Sequence, residues 1–264
     1  MKKIWKLFLK IFVILAAVLL LLQGMSGNGP LKELNNVYAS FMVGNKEEYS
    51  FSHIEERNDS ILKDKNIAIL GSSVAFGAMS GGDSIGEYFA RRFGCHLYKE
   101  AVSSTTLSDI MPWSYVRRIN NLNNGTNYDL FICQLSTNDS TFKIKLGEIA
   151  EDKDLNSFDT KTVTGALEYI ICYAEANFDC PIVFFTGSYY ENAYYKAMVE
   201  RLKELQNKHE FGILNLYEDE AFNSISDEHR KLYMHDKIHP TRAGYRDWWC
   251  PELERQLIEY LKGE

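Results

Sequence analysis

Five short segments of strand pattern, most of them apolar and separated by segments of helical pattern, limit the possible folds of this chain more than any other feature. They are five to seven residues long, at 66–70, 96–102, 129–135, 181–186 and 212–216. Helical patterns cover 84–93, 107–122, 162–178, 194–209 and 243–261. Strands that alternate with helices are typical of a parallel sheet covered on both faces. We therefore expect an α/β protein, a three-layer α/β/α sandwich around a central, mostly parallel five-stranded sheet.

The first residues have the pattern of a targeting segment. Lys2, Lys3, Lys6 and Lys10 lead into an unbroken apolar run over 11–22. This is typical of a secretory signal peptide or an uncleaved signal anchor. The lysines favour a cytoplasmic N-terminus and export of the rest of the chain. A run of 12 residues is short for a spanning helix, which needs about 20. Both forms therefore stay open.

This pattern divides the chain into three parts. Residues 1–26 are interpreted as the signal peptide or anchor, the polar residues 27–63 as a linker or stalk, and residues 64–264 as the folded domain. The predicted location is extracytoplasmic, with the protein either held in the cell membrane by its N-terminal segment alone or secreted.

The charge and the cysteines exclude several classes of protein. The formal net charge is −7, and because residues 1–22 contain four lysines and no acid, the remainder carries −11. Such a domain is a poor nucleic-acid binder. The odd number of cysteines and the absence of a C-x-x-C pair exclude zinc-ribbon and thioredoxin-type sites. We expect Cys133 and Cys172 to be small core residues, and the sequence allows one disulfide without identifying it.

Polar residues follow the predicted strands where a parallel sheet places its ligands. No phosphate-binding loop, dinucleotide fingerprint, H-E-x-x-H or G-x-S-x-G motif is present. Gly71-Ser72-Ser73 follows the first strand, and Ser136-Thr137-Asn138-Asp139 follows the third. Taken alone, each block also fits a turn or a helix cap.

The third polar block lies near the C-terminus. Asp236 and His239 are three residues apart, close enough for the carboxylate to hold Nδ1–H of the ring and leave Nε2 free as a base. A lone D-x-x-H also fits a segment that starts a helix, with a solvated Asp and an incidental His.

Together, these blocks resemble the SGNH (GDSL-type) hydrolase superfamily of serine esterases and lipases, over about residues 64–262. The first block corresponds to Gly71-Ser72-Ser73, the second to residues 101–106, the third to Ser136-Thr137-Asn138-Asp139 and the last to residues 236–240. The resemblance implies the flavodoxin-like arrangement of the sheet. It also implies hydrolysis of O-acyl (acetyl) esters of a small molecule or a glycan, with no cofactor and no metal.

The resemblance also implies a role for each site residue. Ser73 is the nucleophile, His239 is its general base, and Asp236 orients the ring. The oxyanion of the tetrahedral intermediate receives hydrogen bonds from the N–H groups of Ser73 and Ser104 and from the amide of Asn138. The acyl-enzyme is then released to water.

Two positions depart from the family pattern. Ser72 stands where the family usually has Asp, and Ser104 stands where it has the oxyanion-hole Gly. Because the Gly acts through its backbone N–H, a serine can replace it where the backbone angles are allowed. A site that requires a positive φ would leave the enzyme weak.

Two other functions stay open at this point. One is acyl transfer to a sugar hydroxyl instead of water, which shares the first chemical step. The other is a non-catalytic carbohydrate-binding protein that keeps only the fold. The oligomeric state is open as well.

Several further residues attract attention, and most have a structural interpretation. Trp113, Trp248 and Trp249 can stack on a sugar, but we expect the pair in the closing helix to pack on the sheet. A cluster of tyrosines fits either a substrate mouth or a half-buried helix face: Tyr189, Tyr190, Tyr194 and Tyr195. His235 is expected to be structural, and Asp109 and Asp139 to cap helices.

Overall fold

The computed structural model describes residues 10–13 and 39–263. Its centre is a five-stranded sheet in the order β2-β1-β3-β4-β5, and every neighbouring pair is parallel. This is the doubly wound, flavodoxin-like order, which reverses direction between β1 and β3. The strands are β1 Asn66–Gly71, β2 His96–Ala101, β3 Leu130–Gln134, β4 Ile182–Phe185 and β5 Gly212–Leu214.

Helices connect and cover the strands. Numbered from residue 73, they are α1 Ser73–Phe76, α2 Ile85–Phe93, α3 Tyr115–Arg118, α4 Thr137–Thr141, α5 Val163–Asn177, α6 Ala193–Leu205, α7 Glu220–Asn223, α8 Asp227–Tyr233, α9 Arg242–Gly244 and α10 Cys250–Lys262. A π-helical turn, Tyr245–Trp249, joins α9 to α10, and a 3₁₀ turn, Ile119–Leu122, extends α3.

Side chains of the sheet alternate between two separate cores. In β1, Ala68 and Leu70 face the layer formed by α3, α5 and α6, whereas Ile67 and Ile69 face the layer of α2 and α10. All four are completely buried. A strand that is buried on both faces explains why the sequence shows continuous apolar runs instead of alternation. The predicted three-layer sandwich is confirmed.

The five predicted strands are confirmed to within two residues at each end. The predicted helix over 107–122 is wrong in its first half, since helical structure begins only at Tyr115. Pro112 disfavours a helical conformation for Met111. In addition, the N–H groups of Leu107 and Ser108 donate to the carboxylate of Asp139.

The described part of the predicted linker lies against the domain. Three 3₁₀ turns, Val43–Asn45, Glu47–Tyr49 and Phe51–His53, begin this segment, and Phe51 is buried in the α2–α10 core. Further along, Arg57 pairs with Glu254 of α10 at 2.8 Å. Residues 43–57 therefore form a strap across the domain and not a free stalk, because Phe51 packs in its core and Arg57 pairs with Glu254 of α10. The domain boundary at residue 64 stays a prediction.

The apolar run over 11–22 lies mostly outside the described residues. Within 10–13 and 39–263, no helix combines the length and the apolar character that crossing a membrane requires.

All five cysteines have free thiols. Cys133 and Cys172 are buried, as the sequence predicts.

Asn45 fastens the strap to two loops of the domain. Its amide Nδ2 donates to the carbonyls of Ala39 and Met79 at 2.7 and 2.8 Å, and its Oδ1 accepts from the N–H of Arg242 at 2.7 Å. Asn45 is only 7% exposed, so these hydrogen bonds are shielded from water. The side chain thereby joins the loop after α1 to the start of α9.

We expect Asn45→Ala to lower the free energy of unfolding by about 2–3 kcal/mol, because it leaves several buried polar groups without partners. Urea unfolding followed by circular dichroism measures the change.

Asn120→Ala is the matched control. Asn120 is exposed and makes one long hydrogen bond, so this change should stay within about 0.5 kcal/mol. Equal effects of the two substitutions would show that the strap does not stabilise the domain.

Candidate active site

The tight turn after β1 presents Ser73 at the carboxyl edge of the sheet. Ser73 is the first residue of α1, so the chain passes from strand to helix within two residues. Gly71 makes this possible because a Cβ there would lie 2.3 Å from the Cβ of Ala75. Ser73 is 8% exposed, with its side chain directed toward the C-terminal block.

Ser73, His239 and Asp236 form one continuous chain of hydrogen-bonding groups. Ser73 Oγ lies 2.8 Å from His239 Nε2, and His239 Nδ1 lies 2.8 Å from Asp236 Oδ2. A carboxylate can only accept, so Nδ1 carries the proton and Nε2 presents its lone pair to the serine hydroxyl. This arrangement can take a proton from Ser73 and so activate it as a nucleophile.

The Asp236 carboxylate is held in its ionised form. Partial burial favours the neutral acid. This effect is outweighed by the hydrogen bond from His239, by the charge of that ring and by the backbone N–H groups of Ile238 and His239. Together they lower the pKa of Asp236 to about 2. The residue therefore remains an anion that orients the imidazole at every pH above about 4.

The loop that carries Asp236 and His239 is closed at its base. Met234 and Pro240 form an isolated antiparallel bridge, and the N–H of His235 donates to the carbonyl of His239 at 2.9 Å. Within the loop, Asp236 Oδ1 accepts from the N–H groups of Ile238 and His239 at 2.7 and 2.8 Å. Helix α9 begins at Arg242, just after this block, but Asp236 and His239 bond to each other and are not a solvated Asp and an incidental His.

Ser104 adopts a left-handed backbone conformation, with φ of 64°. Glycine adopts this backbone conformation readily, whereas a residue with a Cβ adopts it at a cost of about 1–2 kcal/mol. Ser104, which stands where the family pattern has glycine, therefore occupies a conformation that suits glycine and carries strain.

Hydrogen bonds on either side fix the strained loop in place. Thr105 Oγ1 donates to the carbonyl of Val102 at 2.7 Å, and Asn138 Nδ2 donates to the carbonyl of Thr105 at 2.8 Å. Asn138 thus belongs to the same hydrogen-bonded unit as Ser104.

Three N–H groups at this edge are available to a ligand. Among the described residues, the backbone N–H groups of Ser73 and Ser104 donate to no acceptor, and the side-chain amide of Asn138 uses only one of its two hydrogens. The sequence predicts these three groups as oxyanion donors, and the structure leaves all three uncommitted.

Asp139 and Asp109 are not helix caps, contrary to our expectation. Ser136 caps α4, whereas the buried Asp139 carboxylate accepts from the N–H groups of Leu107 and Ser108 at 2.7 and 3.0 Å. Burial raises the pKa of Asp139, and these hydrogen bonds oppose that shift. Asp109 instead accepts from the hydroxyl of Ser114, the residue that precedes α3, at 2.9 Å.

Two buried polar residues that sequence reasoning missed support the site. Gln134 Oε1 accepts from the N–H groups of Ser72 and Ala75, and its Nε2 donates to Ser72 Oγ. Ser72, which stands where the family pattern has Asp, is therefore satisfied within the turn that carries Ser73. The signal in the sequence was a glutamine at the end of an otherwise apolar strand.

Arg118 is the second of these residues and is 4% exposed. Its Nη2 donates to the carbonyl of Gly71 at 2.8 Å and to Thr105 Oγ1 at 3.1 Å. It thereby joins the Ser73 turn to the Ser104 loop. A guanidinium has five donors in a fixed plane, which suits it to bridge several acceptors at once.

The aromatic residues divide between the core and the rim. Trp249 packs on the sheet, as predicted, and Trp248 stacks on Phe222 with ring centroids 4.8 Å apart. Tyr190 and Tyr195 are buried, and Tyr194 is half-buried with its hydroxyl bonded to the carbonyl of Ile144. Of the aromatic residues that the sequence singles out, Trp113 and Tyr189 remain exposed to solvent, at 64% and 52%.

A cavity of about 790 Å³ adjoins the triad on the Asp236 side. Most of the residues that line it have polar or charged ends, with two tyrosines and a methionine among them: Tyr189, Tyr190, Glu191, Asp227, Arg230, Lys231, Met234, His235, Asp236 and Lys237.

Comparison with known proteins agrees with this architecture. Three solved structures superpose on 76% of the chain. A Lactobacillus plantarum protein has 18% identity, with 98% of its own chain covered and a TM-score of 0.58. Proteins described as GDSL-like lipases from Bacteroides ovatus and Bacteroides uniformis have 14% and 16% identity, 99% and 97% coverage, and TM-scores of 0.55 and 0.51. At these identities, the likeness shows the fold.

The search of curated proteins found no match. The model of the GDSL-like lipase/acylhydrolase family, however, matches residues 69–246, which is more than half of the chain and includes Ser73, Ser104, Asn138, Asp236 and His239. The chain therefore belongs to the GDSL-like lipase/acylhydrolase family.

Proposed function

We propose that this protein is a serine esterase that hydrolyses small O-acyl esters, above all acetyl esters, of a polar alcohol such as a glycan. The observation that carries the proposal is the unbroken hydrogen-bonded chain from Ser73 through His239 to Asp236. Membership in a family of lipases and acylhydrolases supports ester chemistry in general.

The first half of the reaction forms an acyl-enzyme. His239 Nε2 takes the hydroxyl proton as Ser73 Oγ attacks the carbonyl carbon of the ester. The negative charge that develops on the carbonyl oxygen is stabilised by the N–H groups of Ser73 and Ser104 and the amide of Asn138. The tetrahedral intermediate then collapses, and the alcohol leaves with the proton from His239.

The second half returns the enzyme to its starting state. His239 removes a proton from a water molecule, which attacks the acyl carbonyl on Ser73. The acid departs, and Ser73 recovers its proton. Asp236 stays ionised throughout and stabilises the imidazolium that forms twice in each cycle.

The surface beside the triad supports a polar substrate. The cavity next to Asp236 is lined mainly by charged and hydroxyl-bearing side chains, and among them is the exposed ring of Tyr189, which follows β4 at the carboxyl edge. An exposed aromatic face in a groove with polar side chains suits the face of a sugar ring, which combines C–H surface with hydroxyl edges.

We expect Ser73→Ala to lower kcat/KM for a chromogenic aryl acetate by at least about 10⁴-fold, because no other group forms the acyl-enzyme. The wild type should also acquire one fluorophosphonate adduct at Ser73, detected by mass spectrometry, and the variant none.

Ser103→Ala is the matched control. Ser103 is a neighbouring buried serine at the same sheet edge, and its hydroxyl has no hydrogen-bond partner among the described residues. It should keep wild-type turnover. Turnover that survives in Ser73→Ala would refute the mechanism, and sugar binding without labelling would indicate a non-catalytic carbohydrate-binding protein. Acetyl groups found on an added sugar instead of in free acetate would identify a transferase.

Ser104→Gly should stabilise the protein by about 0.5–1 kcal/mol, since glycine adopts φ of 64° without strain but gains entropy in the unfolded chain. The backbone N–H is kept, so we expect kcat to remain the same or to rise by up to about threefold. Urea unfolding and steady-state kinetics measure the two effects.

Lys143→Gly provides the comparison, because Lys143 is an exposed residue with φ of 52°. It should give a similar gain in stability and leave kcat unchanged. A tenfold loss of kcat in Ser104→Gly alone would mean that the Ser104 side chain itself takes part in the reaction.

We also propose that the reaction takes place outside the cytoplasmic membrane. The lysine-rich start and the apolar run over 11–22 support export, and the remaining −11 charge suits a domain held near the membrane by that segment only. A phosphatase reporter that is active only after export, fused behind residue 264, should be active in cells. Lack of reporter activity, with the fusion protein present at normal levels, would place the domain in the cytoplasm.

A further inference from the structure

The amino edge of the sheet, opposite the candidate active site, carries a compact set of metal-ligand side chains. Cys172, Glu175 and His209 each place one ligand atom within 4.8 Å of the other two. Cys172 and Glu175 are three residues apart in α5 and so share one face of that helix. His209 follows α6, at the turn that leads into β5.

We propose that Cys172, His209 and Glu175 form a zinc site that fastens α5 to the end of α6. Cys172 Sγ lies 3.8 Å from His209 Nδ1. In a tetrahedral zinc site, bond lengths of about 2.3 Å to sulfur and about 2.0 Å to nitrogen separate these two atoms by about 3.5 Å. The observed pair therefore needs only a small adjustment to bind the ion.

Glu168 orients the histidine as a metal ligand requires. Its Oε1 lies 3.4 Å from His209 Nε2, and both side chains are completely buried. Because a carboxylate accepts, Nε2 carries the proton of the neutral ring, and the lone pair of Nδ1 is directed toward Cys172 Sγ. A carboxylate behind the second ring nitrogen is the usual support of a zinc-bound histidine.

The same carboxylate is itself held in place. Glu168 Oε1 also pairs with Lys208 Nζ at 2.7 Å, and Oε2 accepts from the N–H of Ala150 at 2.9 Å. The support behind His209 is therefore fixed by packing before any ion binds, which keeps the cost of organising the site low.

Glu175 gives the ion a route from solvent. Its side chain is 33% exposed, and its contact with Lys153 at 4.0 Å is loose enough to be exchanged for a metal ion. With Cys172, His209 and a water molecule, it completes four-coordination. A thiolate, an imidazole and a carboxylate are a set that suits zinc rather than magnesium or calcium.

The site is tested with cobalt(II) as a spectroscopic probe for zinc. The full chain, purified in detergent, stripped with a chelator and kept reduced with a phosphine, is titrated with Co²⁺. We expect one equivalent to bind and to produce a near-ultraviolet thiolate-to-cobalt charge-transfer band, which zinc then removes by competition. Zinc should also raise the midpoint of thermal unfolding.

Three variants separate this site from other thiols. Cys180→Ser removes a half-buried cysteine outside the cluster and should keep both signals. Cys172→Ser should lose both. Glu175→Gln changes an exposed residue that folding does not require, and it should weaken zinc binding by about tenfold or more.

The proposal is overturned by the absence of the charge-transfer band in the wild type, or by a band that persists in Cys172→Ser. If Cys172→Ser does not fold, unchanged zinc affinity in Glu175→Gln overturns it equally. The contact between Cys172 and His209 would then be an S–H···N hydrogen bond alone. None of these outcomes bears on ester hydrolysis, because the triad lies at the opposite edge of the sheet.

Discussion

The hydrogen bond between Ser73 and His239 is the contact on which the candidate site depends, and it joins residues 166 positions apart. Local structure prepares each partner separately. The turn after β1 presents the serine, and the bridge between Met234 and Pro240 closes the loop that carries the histidine. The parallel sheet brings the two loops to one edge, because all its strands end there. Asn45 links the loop after α1 to the start of α9, just beyond the histidine loop, and Arg118 links the Ser73 turn to the Ser104 loop.

Strain and its compensation are concentrated in the Ser104 loop. A non-glycine residue at φ of 64° persists only where its surroundings determine its conformation. Thr105 donates to the carbonyl of Val102 before the strained residue, and Asn138 donates to the carbonyl of Thr105 after it. Asp139 accepts from the N–H of Leu107, in the segment that follows. The fully buried Asp139, which accepts from the N–H groups of Leu107 and Ser108, helps to order the irregular loop of residues 102–114 without helical structure.

The two edges of the sheet have different chemistry although one fold produces both. At the carboxyl edge, Asp236 is partly exposed, and its low pKa follows from direct hydrogen bonds. At the amino edge, Glu168 is completely buried, where it pairs with Lys208 and accepts from the His209 ring, so neighbouring side chains instead of water satisfy its oxygens. The first arrangement leaves a base free to act on a serine. The second leaves a histidine nitrogen directed toward a thiol.

The sequence alone determined the order of strands and helices along the chain, because apolar periodicity is a local property. It singled out the turn at Ser73 and the Asp236–His239 pair through the resemblance to the SGNH hydrolases, since each block alone also fits a turn or a helix cap. It also placed Trp249 in the core, where a bulky side chain of the closing helix has to pack on the sheet. It mistook residues 107–114 for helix, and it did not show that residues 43–57, within the predicted linker 27–63, pack against the domain. Only the tertiary structure decided those segments, together with the parts played by Gln134, Arg118, Asn45 and Glu168. Their hydrogen-bond partners lie far away in the chain. A buried polar side chain stabilises the fold only when the tertiary structure brings donors or acceptors within hydrogen-bonding distance of it.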